Sequence, residues 1–399
     1  MTWRPGPSAL RPELSEVSAY RVPEEPIAIR LDANESPWPL PAEVRARLGE
    51  RIAGADLHRY PEIGASELKR VLGERVGSRP DELVLGVGSD EAIVFLASAL
   101  SRPRGGHARA SVVIPTPTFS MYAASARLAG LDVVGVPYAE GFRLDVPAML
   151  AAIERTAASL VFVATPNNPT GNAQSDADLS ELIRGAPDAL IVIDEAYAAY
   201  RERDHRAWLD RFENVALMGT LSKIGMAALR IGWVRARPEL AAELEKLRLP
   251  YNLALPSQLL AATLLGEFGA VIDQQIAAVV QERSRILPLL GALGVAPHPT
   301  DANFVLVECG DVGRADMLYR GLLDRGIPRG RRTKSSPSSS TRRRARRGWR
   351  RRLPRGVRRR GRRHLPRARC LRRAGALGQA PSARGRGPRQ PRHRACPPS

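Results

Sequence analysis

Seven short apolar runs, at residues 83–87, 111–114, 133–136, 160–164, 190–193, 215–218 and 231–234, succeed one another with helix-like segments between most of them. A run of four to six apolar residues bounded by turn formers reads as a strand buried on both faces, and helices between such strands carry the chain back to start the next in parallel. The pattern therefore predicts an α/β fold whose large domain is a mainly parallel sheet flanked by helices on both faces. Beyond it, residues 238–249 and 256–267 read as helix interrupted at Pro250 and Pro256, and residues 270–293 as a further helix. Residues 303–307 read as a strand and 317–325 as one more helix, a smaller C-terminal α/β domain that looks incomplete.

At Pro328 this grammar stops. Residues 331–399 hold 25 Arg and one Lys with no Asp or Glu, so the formal charge of +20 belongs to this tail. Residues 1–330 carry 35 basic against 41 acidic side chains, a net of −6. The expected organisation is an N-terminal arm (1–35), a large domain (36–235), an interdomain helix with a truncated small domain (236–327) and an Arg-rich, disordered tail (328–399). Three cysteines, Cys309, Cys370 and Cys396, have no metal-like spacing, and no metal is expected. Met1 to Glu16 lacks the apolar core of a signal peptide, and no run of about 18 apolar residues occurs, so a cytoplasmic protein with no membrane partner is expected.

In an open α/β sheet the ligand sits at the carboxyl ends of the strands. After the run at 215–218 comes Thr220-Leu221-Ser222-Lys223, with Arg230 seven residues beyond the lysine. Lys223 is one of only four lysines in the chain, and an amine can form a Schiff base where a guanidinium cannot. The nearby hydroxyls and Arg230 suit a phosphate dianion, and the implied cofactor is pyridoxal 5'-phosphate. After the first run comes Gly88-Ser89-Asp90-Glu91, small residues opening a helix whose amides and dipole favour an anion, although capping by Ser89 or Asp90 would read the same way.

Asn168 follows the run at 160–164 in a turn stiffened by Pro166 and Pro169. A purely structural turn would read the same way, and the function such a turn could serve is to aim Asn168 as a donor toward a ring oxygen. Asp194 ends the run at 190–193, where a buried carboxylate needs a cation such as a protonated pyridine nitrogen. The aromatic Tyr122 is a candidate to stack on a ring face, against the plainer reading of a core residue.

Taken together, these motifs resemble a pyridoxal-phosphate-dependent aminotransferase of fold type I, closest to the histidinol-phosphate aminotransferase branch. The resemblance runs from about residue 18 to 327, through Leu31 to Pro37, Arg59-Tyr60-Pro61, Gly88 to Glu91, Pro166 to Gly171, Asp194 to Tyr197 and Thr220 to Gly232. It implies Lys223 as the catalytic amine, Asp194 on the pyridine nitrogen, and Tyr197 with Asn168 on the phenolic oxygen. It further implies Tyr122 on the ring, and Ser89, Asp90, Thr220, Ser222 and Arg230 around the phosphate. Tyr60 would come from the neighbouring subunit of a homodimer, and Tyr20 and Asn34 would line the substrate pocket.

The implied reaction is transamination of histidinol phosphate with 2-oxoglutarate to imidazole acetol phosphate and glutamate, a step of histidine biosynthesis. The partners are thus an amino-acid or amino-alcohol phosphate and a 2-oxo acid. An aromatic amino-acid aminotransferase and a phosphothreonine-type decarboxylase of the same fold remain open. So does an inactive remnant whose basic tail binds nucleic acid.

The chain departs from the family in two places. The family commonly spaces this lysine and arginine by eight residues, here seven. After Ile327 it also lacks the family's Arg-bearing strand and final helix. A frame shift near codon 328 accounts for the change, because out-of-frame GC-rich codons yield Arg, Ala, Pro, Gly and Ser. A disordered arm that contacts nucleic-acid phosphates is the second reading. Trp349 is the tail's only aromatic, so base stacking has little support.

Overall fold

Seven strands form one sheet in the order β1-β7-β6-β5-β4-β2-β3 in a computed structural model that describes residues 29–201 and 205–327. Tyr20, the rest of the arm before residue 29 and the tail from 328 lie outside the described residues. The strands are β1 (Leu83–Val87), β2 (Ser111–Thr116), β3 (Asp132–Pro137), β4 (Leu160–Ala164), β5 (Leu190–Asp194), β6 (Val215–Thr220) and β7 (Ile231–Arg235). Each covers one of the seven apolar runs.

The helices that cover the sheet are α1 (Ala42–Ala53), α2 (Ser66–Val76), α3 (Gly88–Ala99), α4 (Ser120–Leu128), α5 (Val146–Thr156), α6 (Asp176–Gly185), α7 (Trp208–Arg211), α8 (Pro238–Glu245), α9 (Leu255–Glu267) and α10 (Gly269–Ala292). In β4 the alternation is plain: Leu160, Phe162 and Ala164 join the apolar cluster that includes α3 and α4, whereas Val161 and Val163 join the one that includes α5 and α6. All five are buried, which is why the strand reads as an unbroken apolar run. The four larger side chains each contribute roughly 1.5–3 kcal/mol on leaving water.

One strand runs against the others. β7 pairs antiparallel with both β1 and β6, while β2, β3, β4, β5 and β6 pair in parallel. The reason lies in the connection: only residues 221–230 separate β6 from β7, too few for the crossover of a dozen or more residues that a parallel return requires. That loop carries Lys223. Because β1 is antiparallel to β7, it points the same way as β6, so the start of α3 and the loop after β6 meet at one end of the sheet.

The small-domain expectations fare less evenly. The helix expected over 238–249 ends at Glu245. Pro256 sits in the first turn of α9, where its missing N–H has no partner to lose. The strand expected at 303–307 is not formed; a two-residue β8 (Ala296–Pro297) pairs with β9 (Val307–Glu308) instead. Thr300 explains the loss, since its hydroxyl accepts from the Ala302 amide and bonds the Phe304 carbonyl, folding 300–304 into a local turn. The helix expected over 317–325 is α11 (Val312–Leu323), started earlier by the Asp311 side chain accepting from the Arg314 amide at 2.8 Å. Among the described residues no single helix is long and apolar enough to cross a membrane; α9 and α10 pass that test only jointly, across an 80° bend.

Candidate active site

The loop after β6 is built by its own hydroxyls. Thr220 accepts from the Ser222 amide at 3.1 Å and lies 3.1 Å from the Ile231 carbonyl, so the turn is closed onto β7 and Ser222 and Lys223 project from it. Thr220 Oγ1 is thereby committed to the protein, and it shapes the anion-facing turn rather than offering a free donor. The Tyr200 hydroxyl donates to the Lys223 carbonyl and holds the loop from the β5 side. The Lys223 amine donates to the Ala33 carbonyl at 2.9 Å and lies 5.7 Å from the Tyr197 ring centre. Burial lowers its pKa, easing access to the neutral, nucleophilic form.

Asp194, at the carboxyl end of β5, is 5% exposed. One oxygen accepts from the Ala196 amide at 2.9 Å and the other from the Tyr122 hydroxyl, both neutral donors. Burial pushes its pKa up to about 6, the behaviour of a carboxylate that has not met its cation. Tyr197, three residues beyond Asp194, is buried as well, and its hydroxyl receives Asn168 Nδ2 at 3.3 Å and Asn34 Nδ2 at 3.0 Å. Asn34 reaches it from a left-handed backbone (φ 53°), with its carbonyl held by Asn303 at 3.0 Å. Asn168 and Tyr197 thus hold their polar ends side by side.

Arg230 also has a left-handed backbone (φ 54°), a conformation costing a non-glycine residue on the order of 1–2 kcal/mol and concentrated at functional sites. Its guanidinium lies 3.3 Å from Ser222 Oγ and 3.5 Å from Asp90. The seven-residue spacing from Lys223 therefore does not pull it away from the start of α3. A Cβ on Gly88 would come within 2.6 Å of this guanidinium, so the glycine leaves the space the arginine occupies. Ser89 and Asp90 stand in the first turn of α3, whose amides have no intrahelical acceptor. The Asp90 carboxylate would repel an anion that Arg230 attracts, so Asp90 can serve one only through its amide.

One expected residue is placed differently. Tyr122 does not offer a ring face: it is fully enclosed, stacked on Phe162 with ring centres 4.8 Å apart, and its hydroxyl is spent on Asp194. Its neighbour Phe119, set edge-on to it at 5.6 Å, is only partly buried. Tyr60 stands outside the cluster, 79% exposed and stacked on Tyr251 at 4.5 Å.

Phe119, and Tyr200, whose hydroxyl holds the Lys223 carbonyl, do not stand out as site residues in the sequence. Only the Pro117-Thr118-Phe119 turn before α4 carried a signal that could have found Phe119.

A buried amine and a buried carboxylate held by neutral donors, flanked by a phenol-amide pair and an arginine at a helix start, are the fittings of a carbonyl cofactor with an anionic arm. The chain belongs to the class I and II aminotransferases, whose family model matches residues 26–342. It is 38% identical over 327 residues to histidinol-phosphate aminotransferase 1 of Ralstonia nicotianae, covering 80% of this chain and 84% of that protein. Against histidinol-phosphate aminotransferase 1 of Burkholderia lata the identity is 39% over 310 residues, 76% of this chain and 84% of the relative. The crystal structure of histidinol-phosphate aminotransferase from Sinorhizobium meliloti, in complex with pyridoxal-5'-phosphate, superposes with a TM-score of 0.72 at 26% identity, over 81% of this chain and 89% of that one.

Proposed function

We propose that this aminotransferase uses pyridoxal 5'-phosphate to move an amino group between histidinol phosphate and 2-oxoglutarate, giving imidazole acetol phosphate and glutamate. The observation that carries the cofactor reading is Asp194, buried with two neutral donors and set at the same sheet end as the Lys223 amine. The residues fit the group at each polar point: an amine for its carbonyl, a carboxylate for its ring nitrogen, Asn168 with Tyr197 for its phenolic oxygen, and Arg230, Ser222 and the first amides of α3 for its phosphate. When bound, such a cofactor withdraws electrons from the substrate carbon. The substrate assignment rests on the names carried by both relatives and by the S. meliloti structure.

Within this scheme Lys223 holds the cofactor carbonyl and then moves a proton at the substrate carbon, and its lowered pKa leaves the amine free to accept it. Asp194 keeps the ring nitrogen protonated. Tyr197 and Asn168 fix the phenolic oxygen, and Phe119 takes the stacking role expected of Tyr122. Asn34, held by Asn303, lines the substrate side. Exposed Tyr60 is available to complete the site of a second copy of this chain, which supports a homodimer as the working form.

The test is reconstitution. Wild-type protein mixed with pyridoxal phosphate and reduced with borohydride should carry a cofactor-modified Lys223 by mass spectrometry, and Lys223→Ala should carry none. Glutamate formation from histidinol phosphate should exceed that from an aromatic amino acid. An unchanged adduct in Lys223→Ala would sink the assignment of the amine, and preference for the aromatic donor would sink that of the substrate.

A further inference from the structure

Tyr122 belongs to the first turn of α4, and its hydroxyl donates to the Asp194 oxygen that the Ala196 amide leaves free. The phenol has almost no freedom to do otherwise. Its ring lies parallel to Phe162 of β4, at an interplanar angle of 4°, and Phe119 packs edge-on against it at 84°. No part of it is exposed. Within so tight an enclosure both side-chain torsions are fixed, and a donor fixed before any ligand arrives costs no reorganisation when one does. We propose that Tyr122 is a positioning residue for the strand-end carboxylate: its phenol clamps Asp194 in the ionised form and orients it toward the ring nitrogen of the cofactor. This rests on the reading of Asp194 as the cofactor's partner.

The surroundings make such a clamp necessary. Burial favours protonation of Asp194, as do the nearby carboxylates of Glu195 and Asp90, while the Lys223 amine is the nearby group of opposite sign and the Tyr197 phenol stands neutral beside it. Against these, Tyr122 and the Ala196 amide favour the charged form. Tyr122 can act at any working pH because burial holds its own pKa well above the ordinary phenol value, so it stays a donor. A core aromatic with no further role would need only its ring, and phenylalanine would serve as well.

Two variants separate the roles. Tyr122→Phe removes the hydroxyl and keeps the ring; 3-fluorotyrosine at position 122 keeps the shape and strengthens the donor. In protein freed of cofactor, the Asp194 carboxyl carbon is titrated by NMR, with Asp194→Asn to assign the signal. The Asp194 pKa should rise by about one pH unit or more in Tyr122→Phe and fall in the fluorotyrosine protein. With ring-labelled pyridoxal phosphate added, the pH at which the ring nitrogen loses its proton should fall in Tyr122→Phe, and should not differ between Asp194→Asn and the double variant.

Identical Asp194 titrations in all three proteins would overturn the proposal, as would a further effect of Tyr122→Phe in the Asp194→Asn background. If Tyr122→Phe fails to fold, the fluorotyrosine protein alone decides by its direction. Failure of the wild type to bind pyridoxal phosphate would instead overturn the cofactor reading, and the titration without cofactor would still settle whether Tyr122 controls Asp194.

Discussion

Burying Asp194 without a cation works against the folded state, and the effect depends on pH in a definite direction. A carboxyl whose folded pKa stands at about 6, against an ordinary 3.8, gives stability that is fully present below the unfolded value and is lost as pH rises through the folded one. The displacement is worth ~3 kcal/mol once pH passes 6. In protein freed of cofactor, the loss of melting temperature between pH 4 and pH 7 should therefore be smaller in Asp194→Asn than in the wild type. A wild-type difference no larger than the variant's would contradict the burial argument. In the cofactor-loaded enzyme the order reverses: Asp194→Asn should cut transamination by about two orders of magnitude or more, the scale of removing one partner of a buried ion pair. Lys223, Asp194 and Asn168 were legible in the sequence because a charged or amide side chain close behind a buried apolar run is costly to bury unless something pairs with it. Tyr122 was not, since an aromatic in the first turn of a helix looks the same whether it lines a cleft or seals a core. Only the geometry shows its hydroxyl turned inward to Asp194 and the partly buried Phe119 set edge-on beside it.

The site exists because of how β7 meets α3. A Cβ on Gly232 would come within 2.3 Å of the Gly88 carbonyl carbon and the Ser89 amide nitrogen, both backbone atoms that cannot swing aside. Gly232→Ala should push β7 off the start of α3 and destabilise the protein by ~3 kcal/mol or more, read as a clear fall in the urea midpoint. Gly88→Ala acts differently. Its Cβ meets the mobile end of Arg230, and its backbone has φ +75°, so the fold should survive with a cost of ~1 kcal/mol while the guanidinium is displaced from Ser222. Pyridoxal phosphate affinity, followed by fluorescence, should drop at least about tenfold in Gly88→Ala, beyond what its melting temperature explains. Equal affinity in wild type and variant would remove Arg230 from the anion site. The seven strands were readable because strands buried on both faces must be apolar throughout, but their order and the reversed direction of β7 were not. Direction follows from the length of the 221–230 connection, and that becomes decisive only once Ile231–Arg235 is known to pair with β6. The strand expected at 303–307 failed for a local reason, the Thr300 hydroxyl, which no apolar pattern reports.

At the scale of the whole chain, charge and chemistry separate. The proposed cofactor contacts lie at or before Arg230, within a part of net charge −6 up to residue 330, while the 25 Arg that set the formal +20 follow residue 330. Cofactor capture should therefore be insensitive to whatever the segment after Ile327 does, and substrate handling should not be, because the family resemblance calls there for an arginine-bearing strand that the sequence lacks. The comparison that decides is between this chain and one made from the gene with the reading frame restored near codon 328. Both should give the borohydride-reducible Lys223 adduct in equal amount. Transamination should be higher in the frame-restored chain by about two orders of magnitude, the scale on which a lost charge-paired contact to a carboxylate or phosphate is felt. A nucleic-acid arm predicts otherwise: equal turnover in both chains, and duplex-DNA binding by the present chain alone, weakening with salt at a slope of about −0.9 per phosphate neutralised. Equal turnover would refute the frame-shift reading, and with salt-sensitive DNA binding it would establish residues 331–399 as a working segment of the protein.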